Sequence, residues 1–184
     1  KLDKKVVKRR VKLMEDEGVT FITSVNIGVD ILLKKLVDDF DAVVLCGGSE
    51  KPRDLPIEGR DLDGVHYAME FLPQQNKRNE GDVVSREVAI VAKDKNVLII
   101  GGGDTGSDCL GTSLRQGAEN VYQFELLPKP PGERKPTNPW PQWPMIMRVS
   151  SSHQEAKSEI RQFSVSTKKF SGVEGKLNKV HASQ

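Results

Sequence analysis

No apolar run in the 184 residues approaches the ~20 that a membrane-crossing helix needs, so that class of membrane protein is excluded. The opening residues, Lys1-Leu-Asp-Lys-Lys5, contain no apolar stretch and do not read as a secretory leader. Cysteine is scarce. Cys46 and Cys109 lie far apart, each beside a glycine-rich turn, and nothing resembles a C-x-x-C ligand set for zinc or an iron–sulfur cluster. Both are expected to be small buried side chains in a reducing compartment, and the expected location is the cytoplasm. An excess of one charge is also missing: 28 Lys and Arg stand against 26 Asp and Glu, a formal net charge of +2. That balance gives no electrostatic footprint for a nucleic acid or a membrane surface, and neither is expected as a partner. Hydrophobic residues make up 36% of the chain, which still allows a packed core, and the length admits one large domain or parts of two.

Glycine and proline are present in quantity and unevenly placed. The chain is organised around the stretch from Lys95 to Glu125. Val97 to Ile100 is a short apolar strand that runs into Gly101-Gly102-Gly103, followed by Asp104, Thr105 and Gly106. A helical pattern then takes over, with Cys109, Leu110 and Leu114 apolar and Gly117 as its stop, and a second strand spans Val121 to Leu126. Gly101, Gly103 and Gly106 therefore satisfy G-x-G-x-x-G between a strand and a helix, the setting the motif requires. The first glycine turns the chain, the second lets backbone approach a pyrophosphate, and the third lets helix pack on strand. The helix N-terminus offers free N–H groups to the phosphates. Glu125 ends the second strand, nineteen residues after Gly106, where an acid takes the ribose hydroxyls. A glycine-rich turn that binds nothing is the plainer alternative.

Before this stretch, Asp3 to Glu17 reads as a helix with Asp3 as N-cap and Gly18 as stop. Its basic cluster is read as a solvated face. Val19 to Ile27 reads as a strand, Gly28 to Phe40 contains an amphipathic helix, and Ala42 to Cys46 is a fully apolar strand ending at Gly47-Gly48. Two glycines at the carboxyl end of a buried strand stand where α/β proteins bind ligands, or form a plain turn. Residues 51–82 are turn-rich and polar, with one short helix over Val65 to Leu72, and read as a crossover between two domains. Val83 to Val91 is a short apolar helix or strand.

Most of the ten prolines lie between Pro128 and Pro144 and exclude regular structure there. Trp140 and Trp143 either stack on a cofactor ring or pin this loop, the latter being the simpler reading. Ser150 to Glu155 carries a capping-box pattern for a helix reaching about Arg161, with His153 in its first turn as a surface histidine or an acid/base group. Gln162 to Lys169 and Lys176 to Ala182 read as a hairpin around a Ser171–Gly175 loop, with no third strand for the parallel sheet. The fold class is α/β: a parallel-sheet, Rossmann-like dinucleotide-binding domain at 83–184, a crossover at 51–82, and part of an FAD-type α/β domain at 1–50.

Four stretches carry a family likeness: Lys1-Leu-Asp-Lys-Lys-Val-Val-Lys-Arg-Arg10; Asp41-Ala-Val-Val-Leu-Cys-Gly-Gly48 with Pro52-Arg53-Asp-Leu-Pro56; Gly101-Gly-Gly-Asp-Thr-Gly-Ser-Asp108; and Phe124-Glu-Leu-Leu-Pro128 with Asn138-Pro-Trp-Pro-Gln-Trp-Pro144. On these the chain resembles a central part of the glutamate synthase small (β) subunit. The resemblance implies a module in which NAD(P)H passes hydride to FAD. Electrons then travel through iron–sulfur centres to the large (α) subunit, which makes glutamate from glutamine and 2-oxoglutarate. It places Gly47 and Gly48 near the flavin, and Gly101, Gly102, Gly103, Asp104, Thr105, Gly106 and Glu125 at the nicotinamide nucleotide. The family's own flavin fingerprint is absent, so FAD is expected in the complete subunit. No catalytic residue is assigned, because two cofactor rings exchange the hydride. Glu125 repels a 2′-phosphate and accepts from a bare ribose, which favours NADH. Lys129, Arg134 and Lys135 follow closely enough to serve a 2′-phosphate instead. Two alternatives remain: the same domains feeding a different acceptor, and a nucleotide-binding or docking module without redox activity.

Overall fold

Lone apolar strands do not form where no neighbour takes their backbone donors, and this decides how far each part of the chain follows its sequence pattern. The computed structural model describes residues 3–49, 51–156 and 160–184. Contacts divide the chain into two compact units, Lys1–Gly48 and Ser49–Gln184.

In the first unit, α1 spans Lys4–Asp16, and the Asp3 carboxylate accepts from the Lys5 N–H at 2.8 Å, the cap the sequence indicates. The second helix, α2, is confined to Leu33–Asp39 and carries two exposed i,i+4 pairs, Lys34–Asp38 and Lys35–Asp39. Neither strand expected here forms. Among the described residues of this unit, 19–27 and 42–46 pair with nothing beyond a single bridge between Ile27 and Ile31. Val44 and Leu45 stand 80% and 79% exposed, and Cys46, expected to be buried, is exposed as well.

The second unit is built on β1 (Asn96–Ile100), α4 (Asp104–Arg115) and β2 (Asn120–Phe124), close to the spans read from sequence. These strands pair in parallel from Asn96↔Asn120 to Ile100↔Phe124. Contrary to expectation a third parallel strand exists: β3 (Arg161–Gln162) lies beside β2, so the sheet order is β1-β2-β3. It is two residues long, and the sequence pattern instead places Arg161 at the end of a helix and Gln162 at the start of the hairpin. The backbone bonds from Gln123 N–H to Ile160 O and from Glu125 N–H to Gln162 O, each 2.8 Å, hold it there. The hairpin proper is β4 (Ser166–Val173) and β5 (Lys176–Ser183), closed by a two-residue turn at Glu174-Gly175 rather than a five-residue loop. Asp63 donates its N–H to Gly175 O (2.9 Å) and accepts from Leu177 N–H (2.8 Å), fastening the preceding loop to the hairpin.

The helix expected over 65–72 is instead α3, Ala68–Glu80, and takes in a polar segment read as irregular. One face buries Phe71 and Leu72 in the core with Ala92, Ile99, Cys109, Leu110, Val121 and Ile160. Its polar face has work to do as well. Gln74 accepts from Ile90 N–H (2.8 Å) and donates to Val88 O (2.9 Å), so 83–91 satisfies its backbone through a side chain and forms neither helix nor strand. Helix α5, Ser151–Glu155, follows the expected capping box but stops short of Arg161. No helix among the described residues is long and apolar enough to cross a membrane.

Candidate nucleotide site

β1 must hand over to α4 within three residues, and the glycines do this in different ways. Gly101 takes φ +116°, a conformation only glycine adopts freely, while its N–H still donates to Phe124 O at 2.8 Å. Gly103 caps α4, and a Cβ added to it would meet nothing within 4 Å, so its face is open. At Gly106 a Cβ would lie 2.5 Å from Gly101 O and 3.0 Å from the Gln123 amide, the close helix–strand packing expected of the third glycine. Asp104 and Thr105 begin the helix and are exposed.

Behind the loop runs a polar chain that the sequence did not announce. Gln123 is wholly buried in β2 and donates from Nε2 to Gly101 O at 2.8 Å. Its Oε1 accepts from His153 Nε2 at 2.9 Å, and His153 Nδ1 accepts from the Ser150 N–H at 3.2 Å. These partners fix the neutral tautomer with its proton on Nε2. Burial lowers the His153 pKa from its ordinary 6.5, the Arg161 charge lowers it further, and Glu125 partly opposes them. His153 is thus a half-buried support for the glycine turn rather than a surface residue.

Glu125 follows β2 and folds back over the loop. A Cβ on Gly102 would sit 2.0 Å from its carboxyl carbon, so glycine at 102 is what admits the carboxylate. Arg161 holds it there: Nε and Nη2 both donate to Oε1, at 2.7 and 2.5 Å, and Nη1 donates to Arg148 O at 2.6 Å. The two side chains are only 10% (Arg161) and 15% (Glu125) exposed.

Two cavities lie beside this region, with Val149 common to both and Arg161 lining the smaller. The larger, about 550 Å³, is lined by Gly102, Gly103, Asp104, Ser107, Trp143, Arg148, Val149 and Ser150. Arg148 lies over the Trp143 ring at 4.1 Å. The smaller, about 170 Å³, includes Lys129, His153 and Arg161 with Val149 and Phe163. The tryptophans do not pin the proline loop: Trp140 is 82% and Trp143 68% exposed. Arg134 ties the loop instead, donating from Nη1 to Asn138 O and Gln142 O. Gly47 and Gly48 belong to the other unit, are exposed, and have no atom within 4 Å of an added Cβ.

The site therefore gathers Gly101, Gly102, Gly103, Asp104, Thr105, Gly106 and Glu125 at the carboxyl ends of β1 and β2, and adds Gln123, Arg148, His153 and Arg161. Arg161 lies 36 residues beyond Glu125, and no local spacing links them. A glutamine between Tyr122 and Phe124 in the second strand was the one available signal for Gln123.

The chain is 51% identical over 185 residues to the glutamate synthase [NADPH] small chain of Mycobacterium tuberculosis, covering 99% of this chain and 38% of that protein. It is 50% identical over 176 residues to the glutamate synthase [NADH] of Schizosaccharomyces pombe, covering 92% of this chain and 8% of that one. To the glutamate synthase [NADPH] small chain of Bacillus subtilis it is 44% identical over 189 residues, again 38% of the relative. No family model matches. The chain thus spans little more than a third of the small chains it resembles. On this similarity, which runs over nearly all of its residues, the chain belongs to the glutamate synthase small-chain family, of which it covers a segment.

Proposed function

We propose that this chain is the pyridine-nucleotide-binding, electron-input part of a glutamate synthase. The carrying observation is the open face of Gly103 at the N-terminus of α4, turned into a 550 Å³ groove of the size that holds a cofactor. The residues fit a dinucleotide. Gly102, Gly103 and the first turn of α4, Asp104 to Gly106, receive the pyrophosphate through backbone N–H groups, and Arg148 adds a cation to the groove. Glu125 Oε2, free of the Arg161 bonds, accepts from a ribose hydroxyl. When bound, the nicotinamide supplies hydride to the flavin of the complete subunit, for glutamate formation from glutamine and 2-oxoglutarate with the large subunit. This chain's residues bind and orient, and none is assigned a catalytic role. Residues 83–184 are read as the nucleotide domain, 51–82 as the crossover and 1–50 as part of the flavin domain, with Gly47 and Gly48 toward the flavin. Around those two glycines the described residues build no strand and no enclosing contact, so FAD retention by this chain alone is not expected. The same observation favours a second reading, a nucleotide-binding or docking module without redox activity of its own. The two free cysteines suit a reducing compartment such as the cytoplasm. Glu125 inclines the site to NADH, and its pairing with Arg161 makes that preference small; relatives of nearly equal identity are named for NADPH and for NADH.

The test is calorimetric titration of the chain with NADH and NADPH, with and without FAD. A dissociation constant in the micromolar range, about −8 kcal/mol, for either nucleotide is expected, with no FAD retained on gel filtration. Binding of neither nucleotide would overturn the assignment.

A further inference from the structure

Glu125 stands at the place where dinucleotide folds meet the adenosine ribose, yet its charge is already compensated. Both Arg161 donors converge on Oε1, and the pair is largely withdrawn from water. Arg161 also lines the smaller cavity of about 170 Å³, whose lining holds two cationic side chains, Arg161 and Lys129, and the neutral His153 among Met147, Val149 and Phe163. Lys129 makes no ion pair among the described residues and is exposed at the rim. Val149 lines both cavities, so the small one opens next to the nucleotide groove. Arg161 also rests over the Phe163 ring at 5.3 Å.

Resting on the nucleotide-site reading above, we propose that this small basic cavity is the subsite for the 2′-phosphate of NADPH, with Arg161 and Lys129 as its ligands, so that the chain accepts both nucleotides. With NADH, Arg161 stays on Glu125 Oε1 and Oε2 accepts from the ribose hydroxyl. With NADPH, the doubly charged phosphate takes the Arg161 fork and Lys129 serves as a second point charge. Glu125 then has only its proximity to Arg161 to offset repulsion, so it limits the preference for NADPH instead of forbidding it. Of the three cations that follow Glu125 in sequence, only Lys129 lines the cavity, and Arg134 is committed to the proline loop.

The experiment titrates the full chain and its Arg161→Gln and Lys129→Ala variants with NADH, NADPH, 5′-AMP and adenosine 2′,5′-bisphosphate. In the unaltered chain the two dinucleotides bind within about tenfold of one another, the equivalent of one charge-assisted hydrogen bond. Arg161→Gln weakens NADPH and the bisphosphate at least about tenfold more than NADH and 5′-AMP. Lys129→Ala acts the same way with a smaller effect, and its exposed side chain makes it safe for folding. A merely structural Arg161 would weaken all four ligands alike. Equal losses, or an unchanged NADPH-to-NADH ratio in both variants, overturn the subsite while leaving the nucleotide site standing. Failure of the unaltered chain to bind any of the four overturns both.

Discussion

At Gly102 and Gly103 a single methyl group separates two kinds of glycine requirement. An alanine at 103 meets nothing in the protein, so Gly103→Ala is expected to leave the melting temperature unchanged and to weaken NAD(P)H about tenfold or more, by standing where the pyrophosphate approaches. At 102 the added Cβ falls on the Glu125 carboxyl, which must leave Arg161, so Gly102→Ala alters the NADH-to-NADPH ratio as well as affinity. Gly106→Ala strikes backbone at Gly101 O and is expected to cost about 1–3 kcal/mol of stability, seen in urea unfolding. Equal melting temperatures for the 103 and 106 variants would refute this division. His153 adds a pH dependence. Its folded pKa lies below its ordinary 6.5, so the folded chain binds that proton less readily than the unfolded one. Its contribution is therefore full above about 6.5 and is lost as pH falls toward the folded value. The groups facing it are Gln123, Ser150, Arg161, Glu125 and, across the small cavity, Lys129. His153→Gln should flatten the fall in unfolding free energy between pH 7.5 and 5.5, and a slope identical to the parent's would show that His153 does not titrate in this window.

Elements were legible where periodicity and neighbours agreed. The run β1, α4, β2 followed from a four-residue apolar strand, three glycines and a helical stripe, and all of these pack on one another. Leu110, wholly buried on α4, is the centre of that packing, and Leu110→Ala is expected to cost about 2–5 kcal/mol, measured by denaturant midpoint. A loss under about 1 kcal/mol would mean the core does not lie between α4 and the sheet. Where long-range partners decide, the sequence was mute. Helix α3 carries Pro73 and a polar second half, so nothing periodic marks it beyond Leu72; its reason lies in Phe71 and Leu72 reaching the core and Gln74 serving residues 88–90. Strand β3 is two residues long and owes its place to the edge of β2, while Arg161 within it finds Glu125 across 36 residues. The glycines and the acid of the site were readable because their roles are local; the cations that complete it were not, because theirs are tertiary.

Over the whole chain, order is divided unequally between the two units. Every buried residue among those described belongs to the second, whose core runs through β1, α4 and β2. Among its described residues the first unit has helices but no buried side chain, and its most apolar segment, 42–46, holds no sheet partner. Stability follows burial and hydrogen-bonded enclosure, so local opening should be nearly free in the first unit and approach global unfolding in the second. Hydrogen exchange followed by mass spectrometry is expected to show the amides of 19–25 and 42–48 exchanging within seconds, at nearly the rate of an unstructured chain. Those of 97–100, 109–114 and 121–124 should be protected by about a thousandfold or more. Adding the preferred pyridine nucleotide should raise protection in 101–107 and leave 42–48 untouched, since the ligand's free energy is delivered only where it binds. Slow exchange at 42–46 in the chain alone would mean that this segment does form a paired strand, and would restore a structured end for the flavin at Gly47 and Gly48.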